Sequence, residues 1–116
     1  MTSSVLFLIT SDPRTSARPA EAIRIAAGVG AWKKVDITVC LRGPAVLALG
    51  EYVDELVDED NFVRYLPIIG EWGRPVFVPR GEPLLAGLGE ATVAFEEIDE
   101  GRLAELAAHH HFVLRF

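Results

Sequence analysis

The fold is decided by His111-Phe112-Val113-Leu114-Arg115-Phe116 and by its counterpart near the other terminus, Val5-Leu6-Phe7-Leu8-Ile9-Thr10. Both stretches are almost continuously apolar, which is typical of strands buried on two faces rather than one. Helical patterns separate them, and this arrangement favours a parallel sheet covered by helices. We therefore predict that the last strand is buried and pairs with the first.

The chain between these stretches alternates strand and helix patterns, and its 116 residues form one domain, residues 1–116. Right-handed crossovers between the strands would make the sheet mostly parallel. The predicted class is α/β, with about five strands. The strands are expected at residues 4–10, 36–41, 75–78, 92–95 (or 92–98) and 111–116, and the helices at 20–27, 45–49, 61–72 and 100–109.

Composition and charge exclude several classes of protein. A formal net charge of -6 opposes nucleic-acid binding, which needs a basic face to neutralise phosphates. The first apolar run is too short for a membrane span, and no Lys or Arg precedes it as in a signal peptide. One cysteine allows no internal disulfide. We expect a cytoplasmic protein with no membrane or nucleic-acid partner.

The predicted helix at residues 61–72 is apolar around much of its circumference. Such a helix is either deeply buried or packed against another chain, so it is a candidate interface. Pro67 in its middle predicts a kink or a break. One apolar stripe contains Phe62, Val63, Leu66 and Ile69, and a second contains Tyr65, Ile68 and Trp72.

Candidate site residues follow the strands at the edge where parallel sheets bind ligands. Arg14, Arg42 and Arg80 each follow a different strand and could surround an anion, although exposed arginines that balance acidic residues would give the same spacing. The full ligand-binding hypothesis contains Ser11, Asp12, Arg14, Arg42 and Arg80.

Cys40 is the candidate nucleophile. Alternation along its strand places Ile37, Val39 and Leu41 on one face and Cys40 on the other. Arg42 could lower the pKa of the thiol if the two side chains converge. The competing interpretation is a small, inert, buried side chain.

Metal and cofactor sites are not expected. Consecutive residues of a helix point about 100° apart, so His109, His110 and His111 do not present the i, i+4 pair that zinc prefers. The hydroxyl-rich loop at residues 10–16 contains no glycine, which disfavours close approach of a flavin phosphate.

With these landmarks placed, the chain resembles the DsrE/DsrF-like family of sulfur-relay subunits. The likeness is carried by the opening strand with its polar loop ending at Pro13, the first helix through Gly28, the second strand with the turn into Val46, and Phe112–Phe116. The last of these is similar to the TusC/DsrF branch.

The resemblance implies a five-stranded α/β/α sandwich that assembles into trimers or hexamers, as a homo-oligomer or with related subunits. It also implies a part in passing persulfide sulfur between proteins. The DsrE/TusD branch carries its reactive cysteine after the third strand, where residues 79–87 here contain none. A non-catalytic subunit is therefore expected, and whether the chain is an enzyme stays open.

Overall fold

The computed structural model describes residues 3–32 and 34–116. All strand pairs of its single five-stranded sheet are parallel. The elements are β1 Ser3–Ile9, α1 Arg18–Gly30, β2 Val35–Leu41, a 3-10 helix at Gly43–Leu49, α2 Glu59–Gly70, β3 Val76–Pro79, a second 3-10 helix at Pro83–Gly87, β4 Phe95–Ile98, α3 Glu100–His109 and β5 Phe112–Arg115. The strand order is β4-β3-β2-β1-β5.

β1 and β2 form the centre of the sheet and pair over their full length, from Ser3 opposite Val35 to Ile9 opposite Leu41. Four successive side chains of β1, residues 6–9, are buried. The predicted alternation in β2 is confirmed, since Cys40 belongs to a different hydrophobic cluster from Val39. Continuous apolar runs are thus explained by burial on both faces.

The two faces of the sheet are covered unequally. α1, α2 and the first 3-10 helix cover one face and enclose the larger core. On the other face, α3 places Leu103, Leu106 and Ala107 over Leu8 and Cys40, as its spacing predicts. The prediction of a three-layer α/β/α sandwich with a parallel sheet is confirmed. Among the described residues, every helix is too short or too polar to cross a membrane.

β5 differs from the prediction in its exposure. Its pairing with β1 is confirmed, with Val5 opposite Phe112. The prediction that it is buried is wrong, because Phe112 is 59% exposed and Leu114 is 42% exposed. β5 lies at the edge of the sheet, so only one side of it has a neighbouring strand.

Two further boundaries were predicted inaccurately. β4 begins at Phe95, three residues later than expected, and ends at Ile98, the further of the two expected ends and its one buried residue. α2 continues through Pro67 without a break. Within the first apolar stripe, Val63 is 65% exposed, whereas Phe62 and Leu66 are buried.

α1 and α2 pack closely at their carboxyl ends, where Gly30 faces the indole of Trp72. A Cβ atom at Gly30 would lie 2.3 Å from Trp72 Cη2. Real Cβ contacts do not reach this distance, so only glycine permits the observed approach of the two helices.

We predict that Gly30→Ala lowers the free energy of unfolding by about 1–3 kcal/mol, because the added methyl group forces the indole away. Gly28→Ala is the matched control, since nothing lies within 4 Å of its added Cβ. Alanine in a helix should raise stability there by roughly 0.5–1 kcal/mol. Urea denaturation measures both. Equal effects of the two substitutions would show that Trp72 does not pack on Gly30.

Candidate functional site

The carboxyl ends of β1, β2 and β3 lie side by side at one edge of the sheet, as the ligand-site hypothesis requires. Leu8 pairs with Cys40, and Cys40 pairs with Phe77. The structure nevertheless divides the candidate residues between the two faces of the sheet. Cys40 and Arg42 line a cavity beneath α3. Arg14 lines a separate cleft on the face that α1 and α2 cover.

Cys40 lies at the bottom of a very small cavity. Its side chain is 1% exposed and packs among Leu6, Leu8, Ile98 and Leu106. The space beside it measures about 10 Å³. That volume holds at most about one water molecule. Burial raises the pKa of the Cys40 thiol to about 11, and the positive charge of Arg42 opposes this effect only in part.

An ion pair forms part of the wall of the cavity beside Cys40. The Arg42 guanidinium donates to Oε1 of Glu100, in the first turn of α3. Arg42 therefore does lie beside Cys40, as the sequence suggested, but its charge is shared with Glu100. The carboxylate of Glu100 acts on the thiol in the opposite direction and raises its pKa.

Arg80 follows β3 and lies next to the same cavity. Its Nη1 is 3.9 Å from Oδ2 of Asp99, the residue that caps α3 by accepting a hydrogen bond from the Arg102 backbone N–H. Asp99 also lines the cavity. Like Arg42, Arg80 therefore faces a carboxylate at the beginning of α3.

Arg14 is held by Asp12 on the other face of the sheet. The guanidinium donates from Nε to Oδ1 at 3.0 Å and from Nη2 to Oδ2 at 2.9 Å, and the Arg14 backbone N–H also donates to Oδ1. These hydrogen bonds lower the pKa of the Asp12 carboxyl. Ser11 lies one residue before this pair and donates its backbone N–H to the carbonyl of Phe116.

The cleft beside Arg14 has a volume of about 420 Å³, within the range of small-molecule sites. Leu47, Leu56 and Leu88 form apolar parts of its wall, and Asp54 and Glu55 supply carboxylates. Because Asp12 pairs with Arg14, the acidic groups of the cleft outnumber its basic groups. An anion therefore meets a guanidinium that is already paired.

The sequence did not identify several residues at these sites. Asp99 and Glu100 follow β4 directly, so they also lie at the carboxyl edge of the sheet, and the same rule that selected Arg42 could have found them. Tyr52, in the wall of the larger cleft, gave no such signal because it lies in an irregular segment rich in acidic residues.

The candidate interface residues of α2 are partly buried within the chain itself. Tyr65, Ile68 and Trp72 pack against the larger hydrophobic core, and Trp72 covers Gly30 of α1. A second chain is therefore not needed to explain why this helix has two apolar stripes. Their role in an interface stays a prediction.

The three histidines form separate hydrogen bonds. His109 Nδ1 lies 2.7 Å from the carbonyl oxygen of Glu105. His110 contacts the Leu106 carbonyl and the Thr38 hydroxyl, and His111 Nδ1 accepts the backbone N–H of Ser4. In residues 3–32 and 34–116, no three His, Cys, Asp or Glu side chains are grouped so that they could hold a metal ion.

The sheet order and the crossovers define a parallel α/β sandwich with two separate cavities at its carboxyl edge. Among solved structures, the ychN protein from E. coli has the same fold. The TM-score is 0.80 over 100% of both chains, and 19% of residues are identical. No family model matches the sequence, and none of the curated proteins does.

We predict that native Cys40 reacts with iodoacetamide at about pH 8 at least about 100-fold more slowly than Cys40 in the urea-unfolded chain, because both its raised pKa and its burial slow the reaction. Raising the pKa from 9.0 to about 11 reduces the thiolate fraction by that factor. The unfolded rate should level off near pH 9, and the native rate should stay below it at every pH at which the protein is folded. Mass spectrometry follows the reaction, and equal rates would contradict the burial of Cys40.

Glu100→Gln tests the electrostatic part of the same prediction. It removes the carboxylate that raises the pKa of Cys40 and leaves the charge of Arg42 unpaired beside the thiol. Alkylation of the native protein should therefore become faster. Glu105→Gln is the matched control on α3, because Glu105 pairs with Arg102 and not with Arg42.

Proposed function

We propose that this chain is a non-catalytic or accessory subunit of an intracellular sulfur-relay assembly. The proposal rests first on the resemblance of four sequence segments to the DsrE/DsrF-like family, and the fold is the one that this resemblance implies. One observation favours the accessory role over a catalytic one. The only cysteine of the sequence, Cys40, is 1% exposed and has a raised pKa.

A sulfur carrier needs a thiolate that two partner proteins can reach in turn. Cys40 is neither ionised at neutral pH nor accessible, because its pKa is raised to about 11 and its side chain is 1% exposed beside a cavity of about 10 Å³. The loop that follows β3, which carries the reactive cysteine in the DsrE/TusD branch, has none at residues 80–87. The chain is thus suited to support a neighbouring subunit rather than to carry sulfur.

The proposed setting is a cytoplasmic assembly, either a homo-oligomer of three or six copies or a hetero-oligomer with related subunits. A partner at Tyr65, Ile68 and Trp72 would contact only the parts of these side chains that α1 leaves exposed. The structure offers more exposed apolar surface elsewhere, at Phe112 and Leu114 of β5.

Intact-mass spectrometry after treatment with a small persulfide donor tests the proposal. We expect no gain of mass in the native protein and a gain of one sulfur atom after unfolding in the presence of the donor. Cys40→Ser is the control that removes the acceptor. A gain of one sulfur in the native protein, absent from Cys40→Ser, would instead support the alternative function of a persulfide carrier that uses Cys40 and Arg42.

A second alternative is a small-anion-binding module, which the 420 Å³ cleft beside Arg14 favours. Ion pairs weigh against it, since Arg14, Arg42 and Arg80 each face a carboxylate and lie on two sides of the sheet. An anion at one of these guanidinium groups would compete with Asp12, Glu100 or Asp99 for the positive charge.

We predict that phosphate, sulfate, thiosulfate and nucleotides leave the melting temperature unchanged once ionic strength is matched with chloride. A ligand at 100 times its dissociation constant would stabilise the fold by about 2.7 kcal/mol, which a thermal-shift experiment detects readily. A shift that Arg14→Gln abolishes and Arg24→Gln preserves would establish the anion site. Arg24 is a suitable control because it also pairs with a neighbouring carboxylate, that of Glu21.

A further inference from the structure

The two edges of the sheet carry opposite charges. At one edge, β5 exposes Phe112 and Leu114 together with Arg115. At the other edge, β4 exposes Glu96 and Glu97. Edge strands present backbone groups without a neighbouring strand, and native proteins usually protect such edges with charges or cover them. The acidic edge is protected against a copy of itself, whereas the β5 edge is apolar and basic.

The register of the sheet places complementary residues at the same level on the two edges. Arg115 is opposite Leu8, and Leu8 is opposite Cys40. Cys40 is opposite Phe77, and Phe77 is opposite Glu96. A second copy displaced by the width of one molecule, and rotated to follow the right-handed twist of the sheet, therefore brings its Glu96 level with Arg115 of the first.

The side chains at this level also lie on matching faces. Register partners of a parallel sheet share a face, and Leu8 and Phe77 both belong to the α3 side. Arg115 and Glu96 therefore project on the α3 side. One residue earlier, Leu114 and Phe95 project on the opposite side, and Phe95 is 36% exposed. The same displacement thus forms an ion pair on one face and an apolar contact on the other.

The backbone hydrogen-bonding pattern fits this displacement as well. Phe116 exchanges hydrogen bonds with β1 and its loop, donating to the Leu8 carbonyl at 3.0 Å and accepting from Thr10 at 2.8 Å. Alternation therefore directs the backbone groups of Leu114 toward β1 and those of Arg115 outward.

On the other edge, the carbonyls of Ala94 and Ile98 accept hydrogen bonds from residues of the β3 segment, at 3.1 and 2.8 Å. The backbone groups of Phe95 and Glu97 consequently point outward. In a parallel strand pair, a residue whose backbone N–H and C=O face the partner strand lies opposite a residue whose groups face away from it. Phe95 of one copy and Leu114 of the other would form such a pair, because the groups of Phe95 point out of its sheet and those of Leu114 point toward β1. The Arg115 carbonyl already accepts from Arg18, but a carbonyl oxygen has a second lone pair.

We propose that the β5 edge binds a second copy of this chain through that copy's β4 edge, as a parallel strand pair with Leu114 opposite Phe95 and Arg115 opposite Glu96. Charge complementarity selects this pairing, because two β4 edges would bring Glu96 and Glu97 of both copies together. The contact joins two different surfaces, so it repeats from copy to copy in a head-to-tail assembly. It does not depend on the sulfur-relay function proposed above.

Charge reversal and charge exchange test this contact. Light scattering during size-exclusion chromatography should show the native chain above its monomer mass of 12.7 kDa, with the mass increasing with concentration. Arg115→Glu and Glu96→Arg should each weaken self-association by about tenfold or more, since each replaces attraction with repulsion. The double variant should restore the association, because the same pair then forms with its charges exchanged.

The matched controls are Arg64→Glu and Glu90→Arg, which make the same charge changes at other exposed positions, alone and together. For the apolar contact, Leu114→Ser should reduce the mass, whereas Val63→Ser, at a more exposed residue of α2, should not. Circular dichroism and thermal melting establish that each variant is folded.

Amide hydrogen exchange gives a readout without substitutions. The backbone N–H groups of Val113, Arg115, Phe95 and Glu97 should become protected as concentration increases. The proposal is overturned by a monomer at every concentration, or by a double variant as dissociated as the single ones. It is also overturned by a dimer that Arg115→Glu dissociates and Glu96→Arg leaves intact, since that result assigns the contact to two β5 edges.

Discussion

The fold depends on the seven-residue parallel ladder between β1 and β2. Because this pair is the centre of the sheet, its side chains must be apolar on both faces, and nearly all residues from Leu6 to Ile9 and from Ile37 to Leu41 meet that condition. The other strands take their register from this pair, since β5 pairs with β1 and β3 pairs with β2. The ladder places Cys40 and the loops that follow β1, β2 and β3 at one edge, so the positions of both cavities follow from it.

The sequence was sufficient for features that depend on local pattern. The alternation of β2, the bounds of α3 and its cap at Asp99 follow from spacing and capping chemistry, and the parallel class follows from continuous apolar runs. The exposure of β5 could not be predicted from its local sequence pattern. A central strand and an edge strand can have identical apolar sequences, because burial depends on what lies beside the strand in space. α2 was misjudged for a related reason, since Gly30 of α1 makes room for Trp72.

The candidate site shows a similar division. Chain order placed Arg42 beside Cys40, because both belong to the end of one strand. Their partner Glu100 lies 58 residues away from Arg42, and the distance along the chain hides the ion pair that neutralises the guanidinium. Arg14 and Asp12 are only two residues apart, but their pairing depends on a loop conformation that the sequence does not specify. The arginines that suggest a ligand site in the sequence thus form ion pairs with carboxylates of the same chain.

Burial of Cys40 also has a consequence for the covalent state of the protein. Oxidation of cysteine begins with an exposed thiolate, and this sequence has one cysteine whose side chain is 1% exposed. Burial therefore hinders a disulfide between two folded copies and slows the reaction of Cys40 with peroxide. Folding thus protects the single thiol, and we expect oxidation of Cys40 mainly in molecules that have unfolded, where the side chain becomes exposed.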